Sequence, residues 1–249
     1  MPGQIANLSL RALTLATALP PSDVPKIARW LYRYGTAPRG VMQEMAFGSG
    51  DHPMAVLELS QGGRARGMLE HHYEVATYPG WLGFSRVTAP LGTGATCKLY
   101  ISPKPEALAA VFPVLAEVFD AMQVRAFKVG RGLDGLLRPD KIVAHFDDVD
   151  HLHTVAAILR KRLGRSPAQG VPFTTALGPD GMLSWGIDPP VGSVAVSWRS
   201  WVTHRLAEAL VVPLGFGQSR IESVWGRMAE IGVDPTTWTV GPDTFLATQ

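Results

Sequence analysis

Apolar residues recur along this chain with two periods, every second residue and every three to four. The stretch CKLYISPKPEALAAVFPVLAEVFDAMQVRAFKVG (97–130) shows both. Its ends, CKLYIS and RAFKVG, are short apolar runs of strand length. Between them Leu108, Val111, Phe112, Leu115, Val118, Phe119 and Met122 keep helical spacing, which predicts a helix over 106–123 kinked at Pro113. A turn or short helix GLDGLL, the strand KIVAHF and a helix over 148–163 continue the alternation. GVPFTTALGPDGMLSWGIDPP reads as a loop or hairpin, and two more helices are expected over 200–212 and 219–231, separated by Pro213 and Gly215.

Before residue 95 the rhythm is different. A helix over 23–34 is expected, capped by Ser22, with Pro25 in its first turn and Ile27, Leu31 and Tyr34 on one face. From Gly40 to about Pro90 glycine is frequent and segments such as AVLELS and HHYEVATY alternate, which predicts a meander of antiparallel strands. The expected fold class is α+β, a mixed or antiparallel sheet with flanking helices and an N-terminal strand-rich extension. The change of pattern divides 1–94, a possible peptide-recognition part, from 95–249, but no linker separates them and one continuous domain is expected.

Composition narrows the classes. With 249 residues, 46% hydrophobic and 18% charged, the chain has an ordinary globular make-up. A net charge of +2, from 23 Lys plus Arg against 21 Asp plus Glu, argues against nucleic acid, so any anion preference is local. The single cysteine, Cys97, excludes an internal disulfide and fits a reducing cytoplasm. No run of 18 apolar residues is present to span a membrane, and the N-terminal segment lacks the leading cation of a signal peptide.

Against this background Lys98 and Lys128 stand out, one near the middle of each apolar strand. A strand alternates faces, so either lysine alone is explained by a solvated face or by snorkelling past the sheet edge. Arginines in the same half change the picture. Arg138 opens the next strand, with Arg131 and Lys141 nearby, while Arg199 and Arg205 follow in SWRSWVTHRLAEAL, six residues apart and so on different sides of a helix. One helix joins the two lysine strands, a crossover able to return the second strand beside the first and parallel to it.

The order KLYIS, helix, AFKVG, LLRPDKIVAHF, PFTTALGPDGMLSWGIDP and SWRSWVTHRLAEAL resembles the Hop-A-type effector family of plant-pathogen secretion systems, over roughly residues 95 to 245. Relatives of that family act as lyases in class V lanthipeptide and related ribosomal-peptide pathways. More distantly, the lysine strands resemble those of bacterial phosphothreonine lyases. The resemblance implies elimination of phosphate from phosphoserine or phosphothreonine of a precursor peptide, leaving a dehydroamino acid, with a kinase as functional partner and no cofactor.

By that resemblance Lys128 is the base that takes the Cα proton, which requires its amine to be neutral near pH 7. Lys98 contacts phosphate or carbonyl, Arg138 binds phosphate, and Arg199 and Arg205 match arginines of the C-terminal helix. Tyr100 stands where the phosphothreonine lyases carry a histidine acid, and a phenol with a pKa near 10 gives up its proton less readily than an imidazolium. His204 is a second candidate acid.

Two other readings compete. The same fold serves as a binding partner that holds a peptide or phosphopeptide, its chemistry weakened by Tyr100. Alternatively His145, His151 and His153 around FDDVD suggest a two-histidine, one-carboxylate iron site of an oxygenase. Against the latter, His151 and His153 do not share a helix face, and Asp147 and Asp148 have the look of a helix cap.

Overall fold

The computed structural model describes residues 3–19, 23–48, 52–87, 97–189, 197–214, 217 and 219–241. In chain order these form α1 (Gln4–Ala16), α2 (Val24–Arg33), α3 (Val41–Phe47), α4 (His52–Val56), α5 (Arg64–Glu70), β1 (Tyr73–Tyr78), β2 (Trp81–Arg86) and β3 (Cys97–Ile101). There follow α6 (Leu108–Ala121), β4 (Ala126–Gly130), α7 (Gly132–Leu137), β5 (Ile142–Phe146), α8 (Val149–Leu163), β6 (Thr175–Ala176), β7 (Leu183–Ile187), α9 (Trp198–Val211) and α10 (Arg220–Glu230). The fold is α+β: a seven-stranded sheet in the order β1-β2-β4-β5-β3-β7-β6, every neighbouring pair antiparallel, flanked by helices. The hairpin β1–β2 joins the same sheet through β4, so the sheet spans both sides of residue 94.

Helix boundaries follow local chemistry. Asp148 caps α8 by accepting the N–H groups of Asp150 and His151 at 3.0 and 3.1 Å, while Arg160, Lys161 and Arg162 sit in its last turn where the helix dipole favours cations. Ser219 and Glu222 form a reciprocal capping box at the start of α10. Helix α6 runs through Pro113. The N-terminal segment forms the helix α1. Asp23 caps α2 by accepting from the Lys26 N–H; Ser22 lies outside the described residues.

The strand meander expected over 40–90 is half right. HHYEVATY supplies β1, but residues 41–70 hold the three helices α3, α4 and α5, and AVLELS runs from the end of α4 into a turn. These helices have five to seven residues, too few turns for a helical period to show in the sequence.

Side chains alternate across the strands and the two faces differ. One presents Leu99, Ile101, Phe127, Val129, Ile142 and Ala144 to α6 and α8, where Val111, Phe112, Leu115, Phe119, Leu152, Val155 and Leu159 complete a core. On the other side of the molecule α2 packs on α9, and Ile27, Leu31, Val202, Leu206, Leu210, Val224 and Met228 form a second core. The lysine strands are not adjacent. β5 lies between β3 and β4, pairing antiparallel with both, because the short α7 returns the chain beside β4 at once.

Candidate functional site

The register places the candidate residues in two rows on the face opposite the first core. Tyr100 lies opposite Val143, and Val143 opposite Lys128, so Tyr100 and Lys128 share a row two strand spacings apart, roughly 10 Å. Lys98 is opposite His145 in the next row, and His145 is opposite Ala126. Paired residues point to the same face, so the two lysines meet diagonally across β5.

Two glycines let the surrounding elements approach. A Cβ on Gly186, which pairs with Lys98, would lie 2.5 Å from the Trp198 ring, so glycine allows the start of α9 to seat on the sheet. A Cβ on Gly130 would lie 2.3 Å from the Gly135 carbonyl oxygen, so glycine allows α7 to fold tightly against the end of β4 and deliver Arg138. Asp188 fixes the α9 junction. It accepts the Trp198 backbone N–H at 3.0 Å and pairs with Lys98 Nζ at 2.5 Å.

Arginines surround the lysines through one buried carboxylate. Arg138 grips Asp140 with Nε and Nη2, each at 2.9 Å, and Arg199 Nη1 pairs with the same carboxylate at 2.8 Å. Burial works against the Asp140 charge, but the two guanidiniums outweigh it and hold the carboxyl well below the usual carboxylate range. Tyr32 of α2 completes the cluster, its hydroxyl donating to Asp140 at 3.0 Å and accepting from Arg138 at 3.2 Å, and its backbone carbonyl accepting from Arg199 at 2.6 Å. The Arg199 guanidinium lies 4.4 Å over the Tyr32 ring. Trp81 serves as a second aromatic plate, with Lys128 Nζ 4.3 Å and the Arg138 guanidinium 4.7 Å from its ring centre.

These surroundings set the protonation states. Burial, then the charge of Lys98, pushes the Lys128 amine below its ordinary pKa, favouring the neutral base. His145 is driven down to about 3 by burial and by Lys98 and Lys128, so its imidazole is neutral and no proton donor near pH 7. Burial raises Tyr100 well above an ordinary phenol. Its hydroxyl and Arg199 Nε are buried with no hydrogen-bond partner among the described residues, a costly state that an arriving polar ligand would relieve. Lys141 is used structurally: its buried Nζ donates to the Pro103 carbonyl and the Gln169 side chain at 2.7 and 2.6 Å.

The structure brings together Lys98, Lys128, Tyr100, Arg138 and Arg199. It does not bring His204 or Arg205 to them. Both lie half-exposed on the outer face of α9, 3.4 and 2.9 Å from Glu208, because five and six residues along the helix turn them away from buried Arg199. Nor does it assemble the iron site. His151 is 2.9 Å from the Met122 carbonyl, His153 stacks edge-on against Trp185, and no cluster of three potential ligands occurs among the described residues. Tyr32, Trp81, Asp140 and Asp188 are site residues that the sequence reading missed. Asp140, an acid between apolar runs in LLRPDKIV, carried the one local signal.

Two solved structures share this fold. The effector protein from Pseudomonas syringae pv. tomato strain DC3000 is similar with a TM-score of 0.58 and 12% identity, over 96% of this chain and 99% of that one. The effector protein from Pseudomonas syringae pv. syringae strain 61 is similar with a TM-score of 0.58 and 11% identity, over 95% and 98%. At such identities the likeness establishes the fold alone. The type III effector and phosphothreonine lyase OspF from Shigella flexneri is similar over 46% of this chain and 69% of that one, at 11% identity and a TM-score of 0.35, too low to carry an argument. No protein-family model and no curated protein matches the chain. Among the described residues no helix is long and apolar enough to cross a membrane.

Proposed function

We propose that the lysine-bearing face of the sheet eliminates phosphate from a phosphothreonine or phosphoserine side chain of a peptide. The observation that carries this reading is Lys128: an amine depressed by burial and by a neighbouring lysine, Lys98, and set beside Arg138 on the Trp81 ring. Lys128 Nζ takes the Cα proton. The freed electron pair forms the Cα=Cβ bond, the Cβ–O bond breaks, and phosphate departs with the proton that Tyr100 donates to the leaving oxygen. Arg138, Arg199 and Lys98 stabilise the phosphate charge, exchanging part of their contact with Asp140 and Asp188 for the ligand.

The substrate in this reading is a phosphorylated, ribosomally made precursor peptide supplied by a kinase. The N-terminal part contributes to its recognition, since β1 is an edge of the sheet to which a peptide strand can add.

A second reading has its own observation. Tyr100 is only 3% exposed and its phenol is raised far above neutrality, which favours holding a phosphopeptide over turning it over. One measurement separates the two: mass analysis of a phosphothreonine peptide incubated with the protein. Loss of phosphoric acid that depends on Lys128 supports the lyase, whereas saturable binding with no mass change supports the holding role.

A further inference from the structure

Beside the lysine face lies a cavity of about 650 Å³, larger than one side chain needs. Its wall runs from Tyr32 and Arg33 at the end of α2, through Arg39, to the Gly80 turn, Arg131 and Arg138. Two carboxylates also line it, fewer than its four arginines. Both Asp140 oxygens are taken by Arg138 and Arg199, and Asp134 is exposed and 3.8 Å from Arg39, itself hydrogen-bonded to Glu44. Arg33 has no ion-pair partner among the described residues. The floor between these cations is apolar, from Ala37, Leu137 and Pro139.

The cavity adjoins the proposed site. Tyr32, Arg138 and Asp140 form the wall they share, and Arg138 shares the Trp81 plate with Lys128. Past Arg138 this cleft offers room for a chain whose phosphorylated residue meets Lys128. Beyond Arg39, α3 turns Val41, Met42 and Met45 outward, each more than 70% exposed, an apolar margin next to the basic one. Exposed guanidiniums with an adjoining apolar rim suit aspartate and glutamate side chains on a peptide, which each guanidinium binds through paired N–H donors.

We propose that this cleft is a binding site for an acidic peptide segment, the part of the substrate that flanks its phosphorylated residue. The proposal rests on the lyase reading only in taking the peptide to be the substrate.

The test compares two synthetic fluorescein-labelled phosphothreonine peptides of equal length, one with Asp and Glu on both sides of the phosphorylated residue and one with Asn and Gln there. Binding is followed by anisotropy and phosphate release by mass. The wild-type protein is expected to bind the acidic peptide about fivefold more tightly, as two exposed ion pairs allow, and the preference should shrink as salt rises. Arg33 and Arg131 are exposed and outside the reacting cluster. The double variant Arg33→Glu/Arg131→Glu should lose the preference while binding the neutral peptide unchanged, and Arg33→Gln/Arg131→Gln should lose most of it. Equal binding of the two peptides by the wild-type protein, or a preference that survives charge reversal, overturns the cleft. Phosphate release at equal efficiency from both peptides would do the same while leaving the lyase standing. A preference lost on charge reversal without any phosphate release supports the cleft and removes the lyase.

Discussion

Phe127 and Lys128 are consecutive residues of one strand, yet they belong to two regions with opposite rules. Phe127 points into the first core, stacked on Phe84 at 4.5 Å and meeting Phe119 and Tyr73 edge-on or tilted. Lys128 points to the other face, over the Trp81 ring and within the field of Lys98, Arg138, Asp140 and Asp188. On the first face stability comes from apolar area removed from water. On the second, cations are crowded together and kept tolerable by Asp140, Asp188 and two aromatic rings, an arrangement that disfavours the charged lysine. Their difference is that between a face that buries apolar area and a face that gathers cations around buried carboxylates.

The strongest break of this comparison is Lys128→Ala. Loss of the proposed general base should lower phosphate release about a thousandfold, with the thermal midpoint within a few degrees of wild type. Its neighbour should do the reverse. Phe127→Ala should destabilise the fold by about 3–5 kcal/mol in denaturant titrations, while folded protein retains most of its turnover. If Lys128→Ala unfolds the protein and Phe127→Ala does not, the two faces have been assigned the wrong way round.

A smaller effect concerns pH. In the proposed lyase the neutral form of Lys128 is the base, so phosphate release should climb as pH rises through its depressed pKa and level off below 10.5, the ordinary value for lysine. Lys98 is the largest neighbouring charge behind that depression, and Asp188 opposes it weakly. Replacing both as an uncharged pair, Lys98→Met/Asp188→Asn, avoids stranding a buried charge and should move the rising limb to higher pH. The linkage to stability has a definite sign. Between the depressed folded pKa and the unfolded one the unfolded chain binds more protons, so Lys128 makes the protein more stable as pH rises through that window. A pH–rate limb unmoved by the double variant would mean that another group titrates.

What the sequence revealed of all this follows from range. Alternation is local, so the two faces of β3 and β4 and the odd position of each lysine could be read directly. Strand order is not local. The helix between the lysine strands fits adjacent parallel partners, and nothing within 97–130 tells that β5 will slip between them. The short helices over 41–70 offered too few turns to reveal a period. Tyr32 reaches Asp140 across 108 residues, and Trp81 faces Lys128 only once β2 has paired with β4 in one register, so neither could be placed from its neighbours in the chain.

The smallest expected effect is the most informative for chemistry. In Tyr100→Phe the ring remains between Val143, Val171 and Trp81, and what disappears is a buried hydroxyl without a partner among the described residues. Removing it should leave stability unchanged or slightly raised, because an unsatisfied buried hydroxyl costs more than it returns. Turnover should fall about tenfold if the phenol protonates the departing oxygen, less than an imidazolium would contribute, since burial makes this phenol a weaker acid still. The fall should be smaller for a substrate whose leaving group needs no proton, such as a peptide bearing a fluorinated phosphate ester. An equal fall for both substrates would show that Tyr100 positions the ligand and donates nothing, and would move the role of acid to water or to the phosphate itself.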